Sequence, residues 1–426
     1  MLLGTILLTG AGFISRILGF FYRIFLSHTI GASGLGLYQL IFPVFALCLA
    51  ISSSGIQTAI SKFVASEENK QSYLHAGLII SIALSVFFSL FIYILAPWIA
   101  SEILKEPRTE ELLCVMVYAF LPASIHACFN GYYYGKKDSV IPSACQIMEQ
   151  LVRVLGTLLI YQILQSQGLP LEPIHAVWGL VISEIAGLFV NATAYLWKKD
   201  SAPSNTNKIF PLMKPLGCMA IPLTLNHVLM TLSHSLENLL LPQQLVAYGY
   251  TSDSALEHFG ILTGMALSVI FFPSAITNSL SVLLLPRISE TKSKGNMHAV
   301  LDTIKGAVCC GIALGSLCTF VFLLSADWIG TYVFENNLAG FYIRILSILC
   351  PFMYTSGLLG SIVNGLGHAS YTLSCNLAGC LIRIFAVWFL VPKYGMYAYI
   401  LSMIVGSVVT MMGFLFIIRF RCTTTQ

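Results

Sequence analysis

Six basic side chains of this sequence fall within apolar stretches or at their ends: Arg16, Arg23, Arg153, Lys305, Arg344 and Arg383. A charge placed deep in a bilayer costs at least ~2.5 kcal/mol, so such residues are retained for a reason. A guanidinium is the side chain best suited to a desolvated phosphate, because its planar fork donates two parallel hydrogen bonds to one anion. Arg16 and Arg23 belong to a stripe of small and polar residues, Thr5, Thr9, Gly12, Arg16, Gly19 and Arg23. The steps alternate four and three, so the stripe occupies one helical face that cannot point at lipid. The two arginines lie about 10 Å apart along that face. Either they line an anion-attracting wall, or one snorkels to an interface while the other pairs with a carboxylate.

A second face carries Gln146, Glu149, Arg153 and Gly156. Glu149 and Arg153 have the i, i+4 spacing of an intrahelical ion pair, which would be structural if it only neutralises itself. Arg383 has Gly379 where Arg153 has Glu149, so it is the less easily neutralised of the two.

Titratable residues that could bind a coupling ion form a third group. Glu184, with Asn191 on the same helix, could take a proton or sodium ion. Thr224, His227, Thr231, His234 and Asn238 share a face with Glu237 beside it. Those histidines could titrate or bind a cation, or simply pack and hydrogen-bond; their i, i+7 separation is poor metal spacing. No CxxC motif occurs, and eleven of the twelve cysteines lie in apolar stretches. They read as small packing residues, so neither a disulfide framework nor a metal site is expected. No clustered acids, Ser/His/Asp arrangement or phosphate-cradling glycine loop points to an enzyme, and no cofactor is expected.

The elements that must position these residues follow from composition. Of 426 residues 57% are hydrophobic and 9% are charged, against roughly 25% charged in soluble proteins. Apolar segments near 2–28, 36–62, 73–101, 112–134, 139–165 and 173–197 precede a polar stretch from Lys198 to Lys208. Six more follow near 212–240, 258–286, 299–325, 338–366, 370–391 and 395–418. Each is long enough to span a bilayer as a helix, the conformation that satisfies its own backbone there. The expected architecture is an all-α integral membrane protein of about twelve helices: a bundle over 1–197, a cytoplasmic linker over 198–211 and a second bundle over 212–426. The first span carries two arginines and no basic leader, and reads as retained rather than cleaved. Prolines 43, 122, 142, 222, 273 and 351 are candidate kinks.

With the N-terminus inside, thirteen basic residues fall in inner loops and the tail: Lys62, Lys70, Lys136, Lys137, Lys198, Lys199, Lys208, Lys214, Arg287, Lys292, Lys294, Arg419 and Arg421. Only Lys105, Arg108 and Lys393 fall outside. That bias predicts both termini in the cytoplasm. The net charge of +4 does not point to nucleic acid. The halves also repeat. Asn130-Gly131, Cys145 and Arg153 of the first match Asn364-Gly365, Cys375 and Arg383 of the second, with Pro122 near the place of Pro351. Six helices per half predicts a parallel repeat, a transporter signature.

Two motifs carry a family resemblance. Ser15-Arg16-Ile17-Leu18-Gly19-Phe20-Phe21-Tyr22-Arg23, followed by Ile30-Gly31-Ala32 and Gly36-Leu37-Tyr38, is one. Leu262-Thr263-Gly264-Met265-Ala266, running through Phe272-Pro273 to Leu285-Pro286-Arg287-Ile288-Ser289, is the other. Over essentially its whole length the chain resembles the stage V sporulation protein B and polysaccharide exporter family. The wider superfamily includes lipid II flippases and multidrug and toxin extruders. The resemblance implies a V-shaped pair of six-helix bundles with alternating access in the bacterial cytoplasmic membrane. It implies an undecaprenyl-diphosphate-linked glycan as cargo, moved from inner to outer leaflet, with a glycan polymerase as a candidate partner. Arg16 and Arg23 match cavity arginines of the lipid II flippases. A further arginine of those flippases, early in the eighth span, is missing, since no Lys or Arg occurs between Glu257 and Arg287. Arg16, Arg23, Arg153 and Arg383 are the candidate diphosphate contacts, and Gln146 and Asn376 the candidate sugar contacts. A cation-coupled drug exporter of the same architecture would instead rely on Glu149, Glu184 and Glu237. A membrane enzyme or scaffold acting on lipid is a minor alternative.

Overall fold

The computed structural model describes residues 2–66, 70–197, 209–294 and 297–423. All regular structure among them is helical, and twelve helical segments are long and apolar enough to cross a membrane. The first six are α1 (Leu2–Thr29), α2 (Gly31–Ser66), α3 (Lys70–Ile103), α4 (Thr109–Gly135), α5 (Val140–Ser166) and α6 (Pro173–Trp197). The second set begins with α7 (Ile209–Tyr248) and α8 (Ser252–Phe271), which α9 (Ser274–Ser293) continues. It ends with α10 (His298–Val333), α11 (Asn337–Gly365), α12 (Ala369–Phe389) and α13 (Met396–Thr423). The expected apolar stretch 258–286 is thus two helices, because Pro273 lacks the N–H needed to carry the ladder through Phe272. Pro43 likewise opens a new helical segment after Leu40, and Ser235 Oγ donates to its carbonyl at 3.1 Å. Pro122 lies within a helix that stays continuous around it.

The chain folds into two compact units, Met1–Tyr22 with Leu37–Leu239, and Arg23–Gly36 with Leu240–Gln426. Most of the expected linker, 198–208, lies outside the described residues. In unit one, Ile56, Ile60, Leu74, Phe129, Tyr132 and Leu216 form a core where α2, α3, α4 and α7 meet. In unit two, Ile288, Val300, Leu358, Ile362 and Phe414 do the same for α9, α10, α11 and α13. Large apolar side chains also face outward along α3 (Phe87, Leu90, Ile94) and α10 (Leu317, Phe320, Leu324). Their i, i+3, i+7 spacing marks one face per helix, as expected of helices solvated by lipid.

The repeat is visible in the backbone. π-type turns at 50–54 and 99–103 in the first half recur at 261–266 and 329–333 in the second. The turn after each end-of-helix π segment places one residue in the left-handed region, Lys105 (φ 54) and Glu335 (φ 51). The same hydrogen bonds close both: Glu106 N to Ala100 O at 2.9 Å, and Asn336 N to Gly330 O at 2.8 Å. The caps of α4 and α11 also match, with Asp138 N to Tyr133 O and His368 N to Val363 O, both 3.0 Å. The Asn-Gly pair of the repeat has a packing reason. A Cβ on Gly131 would lie 2.5 Å from Gln57 O of α2, and one on Gly365 would lie 2.8 Å from Leu285 O of α9. Only a residue without a side chain allows either crossing.

Candidate functional site

Titratable residues on α4, α5 and α6 of unit one form one cluster, built from three helix faces. α5 supplies Cys145, Glu149, Arg153 and Thr157, each one turn from the next. α4 supplies His126 and Asn130 at the same spacing, and α6 supplies Ser183, Glu184 and Asn191. α6 can come this close because it is small where α5 is polar. A Cβ on Gly187 would sit 2.4 Å from Glu149 Oε1, and one on Gly179 would sit 2.1 Å from Thr157 Oγ1. α1 runs parallel to α5: Gly4 lies over Ser139, Gly12 over Gln146 and Gly19 over Gln150. At the far end the Tyr22 hydroxyl and Thr157 Oγ1 are 3.1 Å apart.

Within the cluster, Glu184 is held from two sides. His126 Nε2 lies 2.9 Å from its Oε2, and Arg153 Nη2 lies 3.3 Å from its Oε1. Arg153 Nε also donates to Ser183 Oγ at 3.1 Å. The expected intrahelical Glu149–Arg153 pair does not form; the arginine reaches across to α6 instead. Glu184 explains this: its side chain is only 8% exposed, and a buried carboxylate needs a cation. Glu149 turns the other way. Its Oε1 accepts from Cys145 Sγ at 2.9 Å and lies 3.4 Å from His126 Nδ1. Asn191 Nδ2 donates to Asn130 Oδ1 at 3.2 Å and lies 3.1 Å from Cys145 Sγ. The remaining amide oxygen, Asn191 Oδ1, is buried without a partner.

The structure therefore brings Glu149, Arg153 and Glu184 together and adds His126, which was not singled out from the sequence. The available signal was a histidine inside an apolar span with Asn130 one turn on, the same logic that flagged Glu184. Arg16 and Gln146 are exposed on neighbouring faces of α1 and α5, where Ser15 Oγ donates to Gln146 O at 3.3 Å. Arg23, Arg383 and Asn376 are half-buried in unit two, with Arg383 running along Gly406 of α13. His227 and His234 are exposed on α7, and Glu237 is buried with its Oε2 3.9 Å from His234 Nδ1. None of these three joins the cluster.

Unit two keeps the frame of the cluster and its arginine but not the acid at the Glu149 position. Cys375 meets Gly413 of α13 as Cys145 meets Gly187 of α6. Gly379 stands for Glu149, and Thr410 fills the space beside it, its Oγ1 2.3 Å from where a Cβ on Gly379 would be. The acids of the cluster thus belong to the first half, and what the two halves share is the arginine, Arg153 in one and Arg383 in the other.

A membrane-spanning helical protein of two units, with arginines and a charged cluster inside its spans, has the character of a transporter. The chain belongs to the family described as polysaccharide biosynthesis protein, whose model matches residues 1–249. It is 26% identical to stage V sporulation protein B of Bacillus subtilis over 421 residues, covering 95% of this chain and 81% of that protein. It is 25% identical to the lipid II flippase MurJ of the same organism over 365 residues, 77% of this chain and 66% of that protein. A solved structure of lipid II flippase MurJ in an inward closed conformation shares the fold, with a TM-score of 0.75 at 16% identity, over 97% of this chain and 87% of that one.

Proposed function

We propose that this protein is a flippase that carries an undecaprenyl-diphosphate-linked cell-wall or polysaccharide precursor from the inner to the outer leaflet by alternating access. The observation that carries the reading is Arg16, an exposed guanidinium on a membrane-spanning helix, in a chain whose relatives include a lipid II flippase. An arginine placed within the span of a membrane helix is costly and marks an ion or substrate pathway. A lipid diphosphate brings two phosphate groups that must leave water, and Arg16, Arg23 and Arg383 are the side chains assigned to them. Arg153 is the fourth, already held by Glu184 and Ser183, so it contributes field more than direct contact. Gln146 and Asn376 contact sugar hydroxyls. The lipid tail stays in the bilayer, so only the head group crosses. The protein then sits in the bacterial cytoplasmic membrane with both termini inside, and a glycan polymerase is a downstream partner.

Native mass spectrometry of the purified protein with undecaprenyl diphosphate tests the recognition step. Wild type is expected to retain the lipid, and Arg16→Ala and Arg383→Ala to lose it at least about tenfold, the effect of one charge-assisted hydrogen bond. Undecaprenol without the diphosphate should bind no better to wild type than to the variants. Equal retention of undecaprenol and its diphosphate by all three proteins would overturn the proposal. Binding of lipophilic cations that depends on Glu149 would replace it with the cation-coupled exporter.

A further inference from the structure

His126, Cys145 and Glu149 each offer one ligand atom, and the three atoms lie within 4.8 Å of one another. We propose that they form a binding site for a divalent transition metal of the zinc class, buried among α4, α5 and α6. An imidazole, a thiolate and a carboxylate are the donor set that zinc takes in proteins, with bonds of about 2.0–2.3 Å. Two such nitrogen and oxygen donors around a tetrahedral ion stand ~3.3 Å apart. His126 Nδ1 and Glu149 Oε1 are 3.4 Å apart. With the ring protonated this is an ion pair; with Nδ1 bare the same spacing admits an ion between the two atoms. Cys145 Sγ and Glu149 Oε1, at 2.9 Å, sit closer than metal ligands do. The thiol proton that now joins them must leave, after which the two anions open around the ion.

The groups behind these atoms have the arrangement that supports a metal ligand. A metal-bound histidine usually donates its other ring nitrogen to a carboxylate, which fixes the ring and the tautomer. His126 Nε2 lies 2.9 Å from Glu184 Oε2, and Glu184 is itself anchored by Arg153. An N–H at Nε2 leaves a lone pair at Nδ1, on the side of Cys145 and Glu149. Asn130 Nδ2, 3.5 Å from Nδ1, faces that same lone pair. Asn191 Nδ2 lies 3.1 Å from Cys145 Sγ, placed to steady a thiolate. Asn191 is fully buried and its Oδ1 has no partner. Because that amide already touches Cys145 Sγ, its unused oxygen lies at the edge of the site, where a metal-bound water would satisfy it.

Charge also balances. The Cys145 thiol loses its proton to solvent on binding, as thiol ligands do. The thiolate and the Glu149 carboxylate together cancel a divalent ion, while Arg153 cancels Glu184 and His126 stays neutral. Unit two lacks the repeat copy of this site, since Gly379 replaces Glu149. The ion's ligands tie α4 to α5 within one unit and require no lipid substrate. Its binding is therefore independent of the flippase reading.

The test uses the full chain in lipid nanodiscs, stripped with chelator and titrated with cobalt(II), whose thiolate complexes absorb strongly in the near ultraviolet. Wild type is expected to bind cobalt with a thiolate charge-transfer band, and zinc is expected to displace it. Cys145→Ser, nearly isosteric, should abolish the band, and Asn191→Leu should weaken binding about 10–100-fold, as loss of a supporting group does. A stripped, monodisperse wild type with no band would overturn the proposal. So would a band retained in Cys145→Ser, which would place the metal on another cysteine. If Cys145→Ser does not fold, Glu149→Gln supplies the reading: an affinity within about twofold of wild type refutes the site, and a loss of about tenfold or more supports it.

Discussion

At the scale of residues, the deciding feature is how the cluster of unit one shares out its charges. Glu149 and Arg153 stand one turn apart on α5, and sequence spacing alone makes them a pair. The structure gives Arg153 to Glu184 because α6, thinned by Gly179 and Gly187, brings that carboxylate within 3.3 Å. No local spacing rule reports a helix–helix approach, so this partner was not legible. Glu184 and Glu149 as intramembrane acids were legible, and so was the replacement of Glu149 by Gly379 in the repeat that carries Arg383. His126 was missed because a single histidine in an apolar run has an ordinary packing role more often than a charged one. Glu184→Gln should destabilise the protein by about 3 kcal/mol, because Arg153 is left part-buried without its counter-charge. Thermal unfolding in nanodiscs measures this. Glu184→Gln combined with Arg153→Met should recover part of the loss, which a double-mutant cycle reads directly.

At the scale of elements, the helices and their repeat were almost wholly legible, since apolar length and backbone self-sufficiency leave little choice in a bilayer. The break of the eighth span at Pro273 was legible only as a candidate, because Pro122 has the same chemistry and leaves α4 continuous. The repeated Asn-Gly pair was visible as a pattern, and its reason is the carbonyl that each glycine faces. Gly131→Ala should therefore cost about 1–3 kcal/mol, the usual penalty of overpacking a close contact. Gly10→Ala, where a Cβ meets nothing within 4 Å, should be neutral or slightly stabilising, since alanine is the better helix former. Unfolding temperatures of the two variants against wild type check both expectations.

At the scale of the whole molecule, charge distribution predicts the orientation. Thirteen basic residues against three predict that the turn after α3, with Lys105 and Arg108, faces outward and that Lys136 and Lys137 face the cytoplasm. Alkaline phosphatase fused after Lys105 should be active in cells, and fused after Lys137 inactive; the reverse pattern would invert the topology. The most direct measurement is leaflet exchange of a fluorescent undecaprenyl-diphosphate sugar in proteoliposomes, read by an impermeant quencher. The flippase reading predicts that wild type makes the protected pool accessible and that folded Arg16→Ala, Arg23→Ala and Arg383→Ala do so at least about tenfold more slowly, the loss of one charge-assisted hydrogen bond to the diphosphate. Wild-type protein that leaves the protected pool no more accessible than empty liposomes do would contradict it.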